Sequence, residues 1–291
     1  MIITLFFLIA ALSAAGAFLL YLGLIRPDSR RRQECLAFSA WDFAHRGLWD
    51  MNSGIPENSL PAFQRAAERG FAIELDVHLT ADGQLAVFHD DTLNRMCGLN
   101  RTVESMNYSE LAGLRLLNTD HRIPLLSEVL KLVDGRVPLL IEMKLPTCST
   151  RLCPLLDSLL ASYSGPYLIE SFNPLGLRWY RKHRPSILRG QLACRHAPAT
   201  GLEGFLRKLS SSLLINCVSR PHFIAYHFRH MDGLGVRLNQ SLFKIPVFAW
   251  TIRSQEDFEE CKEKYCGVIF EGFVPQIPVF ADKLCSRTYG R

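Results

Sequence analysis

The sequence predicts a (β/α)8 barrel with a small insertion after its second strand, preceded by one N-terminal transmembrane helix. Short apolar or β-branched runs alternate with helical patterns, which is the order typical of parallel strands joined by helices. Eight such runs follow residue 41 when the run 84–88 is assigned to the insertion. A doubly wound open sheet is the alternative, but no G-x-G-x-x-G follows a strand and no P-loop occurs.

The first 25 residues contain no charged side chain, and they predict a transmembrane anchor. A cleaved signal peptide is the competing interpretation. It is disfavoured because the start has no basic residue and the small residues (10–17) lie in the middle of the segment. Residues 26–40 are interpreted as a basic juxtamembrane linker. Its arginines predict a single-pass topology with the globular domain in the cytoplasm, since basic flanks stay on that side.

Composition narrows the class of protein. The 291-residue chain is 48% hydrophobic and 21% charged, which excludes a disordered chain. The net charge of +5 comes largely from one cluster near the start, and no zinc finger, helix-turn-helix or RNA-binding motif is present, so we expect no nucleic-acid partner. Nine cysteines without a C-x-x-C pattern indicate reduced thiols rather than a disulfide framework.

The domain 41–291 is divided into predicted elements by apolar runs and turn residues. Asn58 or Ser59 could cap the first helix, which Gly70 ends. A polar stretch at about 80–125 is interpreted as the insertion. The predicted strands are 41–47, 71–79, 137–143, 167–172, 187–193, 213–218, 245–252 and 267–271. The predicted helices between them are 60–69, 127–133, 150–163, 174–183, 201–208, 221–231 and 254–263.

Chemically active residue types collect at the carboxyl ends of these strands, where a (β/α)8 barrel places its active site. They are His45, Arg46, Glu74, Asp76, Glu142, Lys144, Ser171, Asn216, Trp250, Thr251 and Glu271.

Two carboxylates, Glu74 and Asp76, are separated by Leu75 in an alternating strand pattern. Alternate side chains share a face, so the two acids point the same way and repel each other unless a cation lies between them. Glu142 ends the next strand and adds a third carboxylate. Oxygen ligands suit a hard cation, which predicts one Mg²⁺ or Ca²⁺. Taken alone, Glu74 and Asp76 could also be ordinary charges on a solvent-facing strand edge.

Two histidines, His45 and His89, are candidate proton carriers near this acidic group. Arg46 and Lys144 supply fixed positive charges. Acids with a hard metal, two imidazoles and two basic side chains match phosphodiester cleavage, in which one histidine deprotonates the nucleophile and the other protonates the leaving oxygen. Trp250, at the end of a strand, is expected to line the substrate pocket rather than the core.

The chain resembles the glycerophosphodiester phosphodiesterase family from about residue 41 to 275. The resemblance rests on AHRG (44–47), PENSLPAF (56–63), IELDVHLTADGQLAVFHDDTLNR (73–95), IEMK (141–144), SFNP (171–174) and AWTI (249–252). It implies a barrel with an insertion after the second strand. It also implies that a glycerophosphodiester is split into an alcohol and sn-glycerol 3-phosphate. The residues implied are Glu74, Asp76 and Glu142 as metal ligands, His45 and His89 as the acid–base pair, and Arg46 and Lys144 as phosphate contacts.

Two alternatives remain open: lysophospholipase D-type cleavage of membrane lysophospholipids, and a non-catalytic barrel that binds phosphodiesters. All seven expected groups are present, which favours an enzyme. Leu48 and Trp49 follow the AHRG motif where small residues are common in the family. They would form an apolar lip suited to a lipid-like leaving group, or else simply fill space. Glu271 stands where the family usually has the Asp of a Thr-Asp pair.

Overall fold

The computed structural model describes residues 2–195 and 199–276. It begins with helix α1 (Ile2–Ile25), whose side chains are exposed along most of its length. By length and composition this helix could span a membrane. None of its 24 residues is charged, and only Ile25 is buried against the rest of the protein.

Eight parallel strands close into a barrel, as the sequence predicts. With the additional strand β3 of the insertion, the nine strands of the described residues are β1 (Asp42–Ala44), β2 (Ala72–Leu79), β3 (Leu85–Val87), β4 (Leu139–Met143), β5 (Tyr167–Ser171), β6 (Arg189–Ala193), β7 (Phe223–His227), β8 (Val247–Ile252) and β9 (Gly267–Phe270). The barrel closes because β1 pairs in parallel with both β2 and β9. β3 is the exception: it pairs antiparallel with β2 and belongs to the insertion.

The remaining helices cover the outside of the barrel or lie in its connections. They are α2 (Arg32–Leu36), α3 (Leu60–Glu68), α4 (Asn94–Cys97), α5 (Tyr108–Leu111), α6 (Leu126–Val133), α7 (Leu152–Leu160), α8 (Pro174–His183), α9 (Gly201–Ser211), α10 (Asn216–Ser219), α11 (Leu234–Ser241) and α12 (Gln255–Lys264). A large apolar cluster fills the space between helices and strands, and a smaller one fills the barrel interior. The interior set includes Phe43, Leu140 and Phe248. Along each strand, every second side chain points into the barrel.

One predicted strand, 213–218, is wrong. Residues Asn216–Ser219 form the short helix α10, and the barrel strand is Phe223–His227, within the segment predicted as the helix 221–231. A short apolar run does not by itself separate a strand from a buried helical piece. Asn216 therefore does not lie at the barrel rim. Its buried Nδ2 donates to the carbonyl of Ile25 at the end of α1, at 3.0 Å.

The insertion folds around a small apolar cluster of its own, which includes Phe88, Met96, Leu111 and Ile123. It is tied to the barrel through His78, whose Nδ1 lies 2.5 Å from Glu104 in the insertion. The Nε2 of the same ring lies 3.3 Å from the carbonyl oxygen of His89. The insertion thus holds the backbone of His89 beside the barrel mouth. Residues 277–291, the last part of the predicted domain, lie outside the described residues.

Candidate active site

The three acids predicted as a cation site come together at the carboxyl end of the barrel. Glu74 and Asp76 lie on β2, and the register pairs Asp76 with Glu142 on β4. One oxygen from each of the three carboxylates lies within 4.8 Å of the others. All three side chains are buried. An all-oxygen donor set of this kind fits a hard divalent cation.

Crowding shifts the pKa values of these carboxyl groups apart. Burial raises the pKa of Glu74, and the neighbouring Asp76 raises it further. Burial also raises the pKa of Glu142, to about 7, although Lys144 opposes this. Burial would raise the pKa of Asp76 too, but Lys144, His89 and Arg46 together hold it well below its usual range. Three buried carboxylates this close repel one another, and a bound cation would reduce that repulsion.

Two basic side chains contact the acidic group. The Lys144 ammonium lies 2.9 Å from Asp76 and 2.8 Å from Glu142. The Arg46 guanidinium donates to Glu57 at 2.7 Å, and its Nε lies 3.7 Å from Asp76. Both cations therefore lie next to the predicted metal site, where a phosphoryl group would carry its negative charge.

The backbone around Arg46 explains the sequence of the AHRG motif. Arg46 has a positive φ of 60°, which turns its N–H toward Glu74, 2.9 Å away. Gly47 also has a positive φ, and a Cβ there would lie 2.9 Å from Ala62 in α3. Only glycine combines that conformation with such a close approach. The motif thus packs the first strand end directly against the first barrel helix.

His45 extends from β1 into the site. Its Nδ1 donates to Glu271, and its Nε2 lies 3.9 Å from Glu74. Arg253 donates to the other oxygen of Glu271 at 2.7 Å. Burial would raise the pKa of Glu271, but the hydrogen bond from His45 and the charge of Arg253 hold it at about 2. A carboxylate at this position therefore orients the His45 ring and fixes which nitrogen faces the acids.

His89 is held in the same way as His45 and lines the same cavity. Its Nδ1 donates to Asp90 at 2.6 Å, and Arg95 donates to Asp90 at 2.7 Å. Arg95 also binds Glu57, which links it to Arg46. Burial lowers the pKa of His89, and Asp76 only partly offsets this. Both histidines are thus held at Nδ1 by a carboxylate that an arginine holds in turn.

Sequence reasoning missed one acid, Glu170 on β5. The sheet register places it opposite Glu142, and it is 1% exposed. Burial raises its pKa well above the usual range, with Glu142 and Asp76 adding to the effect. Its Oε2 has no hydrogen-bond partner among the described residues. The strand sequence YLIES could have revealed it. Glu170 lies two residues after Leu168, which points into the barrel, so both side chains lie on the same face of the strand.

Glu57 and Asn58 support the site rather than capping α3. The cap is Ser59, whose side chain accepts from Ala62. Asn58 donates from Nδ2 to Asp76 at 2.8 Å, and Glu57 accepts from Arg46 at 2.7 Å. The turn before α3 therefore holds two members of the acidic and basic groups in place.

Two adjoining cavities open onto these groups. One of about 290 Å³ is lined by His45, Glu74, Glu170 and Trp250, among others. A second of about 630 Å³ shares His89, Glu142 and Phe172 with the first. Trp250 lies on the cavity wall, edge-on to Phe172 at 5.8 Å between ring centroids.

The expected apolar lip does not form at this pocket. Leu48 is 5% exposed in the outer core. Leu48 and Trp49 line a separate cavity with Phe273. They fill space beside the first and last strand ends.

A closed (β/α)8 barrel with buried carboxylates, two oriented imidazoles and two cations around two adjoining cavities suits hydrolysis of a phosphoric ester. Comparison with known proteins agrees. The family model described as "Glycerophosphoryl diester phosphodiesterase family" matches residues 45–270. The chain belongs to this family of phosphoric diester hydrolases.

Individual relatives share the barrel region. A glycerophosphodiester phosphodiesterase from Caldanaerobacter subterraneus subsp. tengcongensis is 34% identical over 232 residues, which covers 74% of this chain and 87% of that protein. The human lysophospholipase D GDPD1 is 32% identical over 148 residues, 46% of each chain. A Bacillus altitudinis glycerophosphodiester phosphodiesterase is 41% identical over 110 residues, 35% of this chain and 44% of its own length.

Solved structures share the fold. An Oleispira antarctica phosphodiesterase in complex with the product sn-glycerol-3-phosphate superposes with a TM-score of 0.65 at 22% identity, covering 81% of this chain and 94% of that one. The Thermotoga maritima glycerophosphodiester phosphodiesterase gives a TM-score of 0.59 at 25% identity, covering 78% and 92%.

Proposed function

We propose that this protein hydrolyses glycerophosphodiesters to an alcohol and sn-glycerol 3-phosphate, with the help of one divalent cation. The observation that carries the proposal is the buried group of Glu74, Asp76 and Glu142, set between two oriented imidazoles. A product complex with sn-glycerol-3-phosphate in a relative of the same fold supports the choice of product.

Glu74, Asp76 and Glu142 would hold the cation, and Mg²⁺ and Ca²⁺ both suit these ligands. When bound, the cation would offset negative charge on the phosphoryl oxygens. Arg46 and Lys144 lie beside the acids and would bind the remaining phosphate oxygens. Trp250 would pack against the organic part of the substrate, since it lies on the wall of the same cavity.

His45 and His89 would move the protons. One would accept the proton of the attacking oxygen, and the other would donate a proton to the oxygen of the departing alcohol. Glu271 and Asp90 each accept from Nδ1, which leaves Nε2 of each ring available to the substrate. Both rings line the smaller cavity together with Glu74 and Glu142, which suits action on opposite sides of one phosphorus atom.

A second candidate is lysophospholipase D-type cleavage of lysophospholipids in the membrane. The apolar helix α1 and the partial match to human lysophospholipase D GDPD1 favour it. In this view α1 spans the membrane once and the basic residues after it keep the barrel in the cytoplasm. The non-catalytic alternative is disfavoured because both histidines and all three acids occupy one site.

The test uses the full chain in detergent, with glycerophosphocholine and lysophosphatidylcholine as substrates. Turnover is measured with Mg²⁺, with Ca²⁺ and with a chelator. We expect turnover that needs metal and falls by about 10²–10⁴-fold in His89→Ala, the usual cost of losing a general acid or base.

His183→Ala is the matched control, since that histidine stacks on Trp179 away from the site. Retained metal-dependent turnover in His89→Ala would exclude the two-histidine mechanism. Metal binding without turnover of either substrate would support the binding-only alternative.

A further inference from the structure

The large hydrophobic side chains that remain exposed are unevenly distributed. Beyond α1, five of those in the described residues are more than half exposed, and all five lie on α9 or α11 or directly after it. They are Leu202 at 73%, Phe205 at 58%, Leu206 at 53%, Leu234 at 57% and Leu242 at 54%. We call these five residues the flank patch. Scattered single apolar residues need no explanation, but apolar residues concentrated on two helices whose ends adjoin indicate an interaction site.

Helix α9 has the pattern of an interfacial helix. Leu202, Phe205, Leu206 and Leu209 recur at helical spacing and form one stripe, while Lys208 and Ser210 lie off it. Three of the four stripe residues are exposed, which leaves the stripe without a protein partner along most of its length among the described residues. An apolar stripe beside basic side chains is typical of helices that lie in the plane of a membrane surface.

One end of the flank patch, at Leu234, adjoins α1 near its carboxyl end. Tyr21 of α1 approaches Gly235, the residue after Leu234: a Cβ built on Gly235 would lie 3.3 Å from the Tyr21 hydroxyl. The same point lies 2.5 Å from the carbonyl oxygen of Ser212, which ends α9. The carboxyl end of α9 and the amino end of α11 therefore adjoin each other. Both lie beside Tyr21, about one turn before the carboxyl end of α1.

The end of α1 is fixed to the barrel rather than tethered by a loose linker. Arg220 donates to the carbonyls of Gly23 at 3.0 Å and Arg26 at 2.8 Å. Asn216 donates to Ile25, and Asp28 donates its N–H to Pro221 at 2.8 Å. These bonds satisfy carbonyls that the end of a helix leaves without partners. The orientation of the barrel relative to α1 is thus set by the fold.

We infer that the flank patch binds the surface of the lipid bilayer that α1 enters. The occupant is lipid because one end of the patch adjoins α1 near the point where that helix would leave the membrane, and because hydrogen bonds fix this end of α1 to the barrel. Helix α9 follows β6, whose carboxyl end faces the barrel mouth. Contact of α9 with lipid would therefore bring one edge of the mouth to the membrane.

Tryptophan fluorescence in vesicles tests the inference without using catalysis. The full chain carrying Phe205→Trp is reconstituted into phosphatidylcholine vesicles whose acyl chains are brominated near the headgroup. Interfacial helices bury their apolar face about 5–10 Å into this region, within reach of bromine. We expect the emission added by Trp at 205 to be mostly quenched by brominated lipid and little affected by acrylamide.

Leu155→Trp is the matched control, because Leu155 is 40% exposed on α7, outside the flank patch. Its added emission should respond to acrylamide and not to brominated lipid. Leu202→Trp repeats the measurement on the same stripe if Phe205→Trp fails to fold by circular dichroism. The unsubstituted chain gives the background from its four native tryptophans.

Quenching of the residue-205 signal by acrylamide to the level of the control would overturn the inference, since the patch would then face water. Protection from both quenchers would also overturn it, since a second copy of the chain would then cover the patch. Flotation of the vesicles shows separately that α1 has inserted. The result does not depend on turnover, so failure of the proposed function and failure of this inference are distinguishable.

Discussion

The barrel buries a charged cluster at each end, and the two clusters differ in how their charges are balanced. At the carboxyl end lie four buried carboxylates (Glu74, Asp76, Glu142 and Glu170) and two cations, Arg46 and Lys144. At the amino end, Asp28 contacts Arg189 and His222, whose side chains are each 1% exposed. Both clusters are buried, so burial of charge alone does not identify a functional site.

The amino-end cluster is balanced internally. Arg189 donates to the carbonyls of Ser219 at 3.2 Å and Arg220 at 2.8 Å, and its Nη2 lies 3.3 Å from Asp28. Burial lowers the pKa of His222 to about 3, so the ring is neutral. The buried Arg189 faces Asp28, whose second guanidinium partner is the exposed Arg30 at 2.7 Å. This cluster joins the segment after α1 to β6 and β7. Asp28, Arg189 and His222 do not line either of the two cavities that open onto the acids.

The carboxyl-end cluster brings four carboxyl groups against two cations, and burial raises the pKa of three of them, Glu74, Glu142 and Glu170. A divalent cation would stabilise their ionised forms. It also opens into the cavity that His45 and His89 line. Unbalanced buried charge that faces a cavity indicates ligand binding, whereas balanced buried charge indicates a structural role. The following predictions test this distinction.

The largest effect is expected for Glu142→Gln. It should lower kcat/KM by about 10³-fold, because a bound metal supplies several kcal/mol of charge stabilisation. The melting temperature without metal should not fall, since the change removes a carboxylate whose pKa burial raises to about 7. Phosphodiester turnover, calorimetric metal titration and thermal unfolding measure the three quantities.

Glu110→Gln in the exposed insertion is the control for that variant. A lower melting temperature together with unchanged metal affinity in Glu142→Gln would make the carboxyl-end cluster structural like the other one.

The second prediction concerns the balanced cluster. Arg189→Met should lower the free energy of unfolding by about 2 kcal/mol, because the carbonyls of Ser219 and Arg220 lose their charged donor while Asp28 keeps only the exposed Arg30. Since Arg189 lies at the other end of the barrel, kcat and metal affinity of the folded protein should not change. Denaturant unfolding in detergent and turnover at a temperature well below melting measure these effects. Loss of metal affinity in the folded variant would contradict the separation of the two clusters.

A smaller effect is expected for Glu271→Gln. It should lower kcat by about 10–100-fold, less than loss of an imidazole, because the amide still packs beside His45 but no longer fixes its protonated nitrogen. Metal affinity should not change. A double-mutant cycle with His45→Ala checks the coupling: if Glu271 acts through His45, the second substitution adds little. Fully multiplicative losses would show that Glu271 acts independently of His45.

The smallest effect is a change in the pH dependence of stability. Burial lowers the pKa of His222 to about 3, below its ordinary value of about 6.5. The folded protein therefore binds this proton more weakly than the unfolded chain. The contribution of His222 to the free energy of unfolding is therefore fully present above pH 6.5. It is lost as the pH falls toward 3, at up to about 1.4 kcal/mol per pH unit.

His222→Gln should therefore flatten the fall in unfolding free energy between about pH 6.5 and 4.5. Denaturant unfolding at both pH values gives the slope. His121→Gln, in the insertion, is the control. Equal slopes in the wild type and His222→Gln would show that His222 is not held neutral by the fold.

The sequence by itself predicted the barrel, the insertion and the group of three acids. Strand alternation fixes that Glu74 and Asp76 share a face, and the rule for strand ends places Glu142 near them. The same rule for strand ends placed His45 and Trp250 at the carboxyl end of the barrel. The family resemblance, which the comparisons confirm, is most specific in the motifs between residues 41 and 144.

The tertiary structure decided what depends on partners distant in the chain. Glu170 joins the acids only through its register with Glu142, and Glu271 meets His45 because β9 closes the barrel against β1. The wrong prediction of a strand at 213–218 also has a tertiary cause. Residues 216–220 hydrogen-bond to the end of α1, about 190 positions earlier in the chain, and the barrel strand is Phe223–His227. Alternation and motif are local properties of a chain, whereas register, closure and capping are determined only when remote segments pack together.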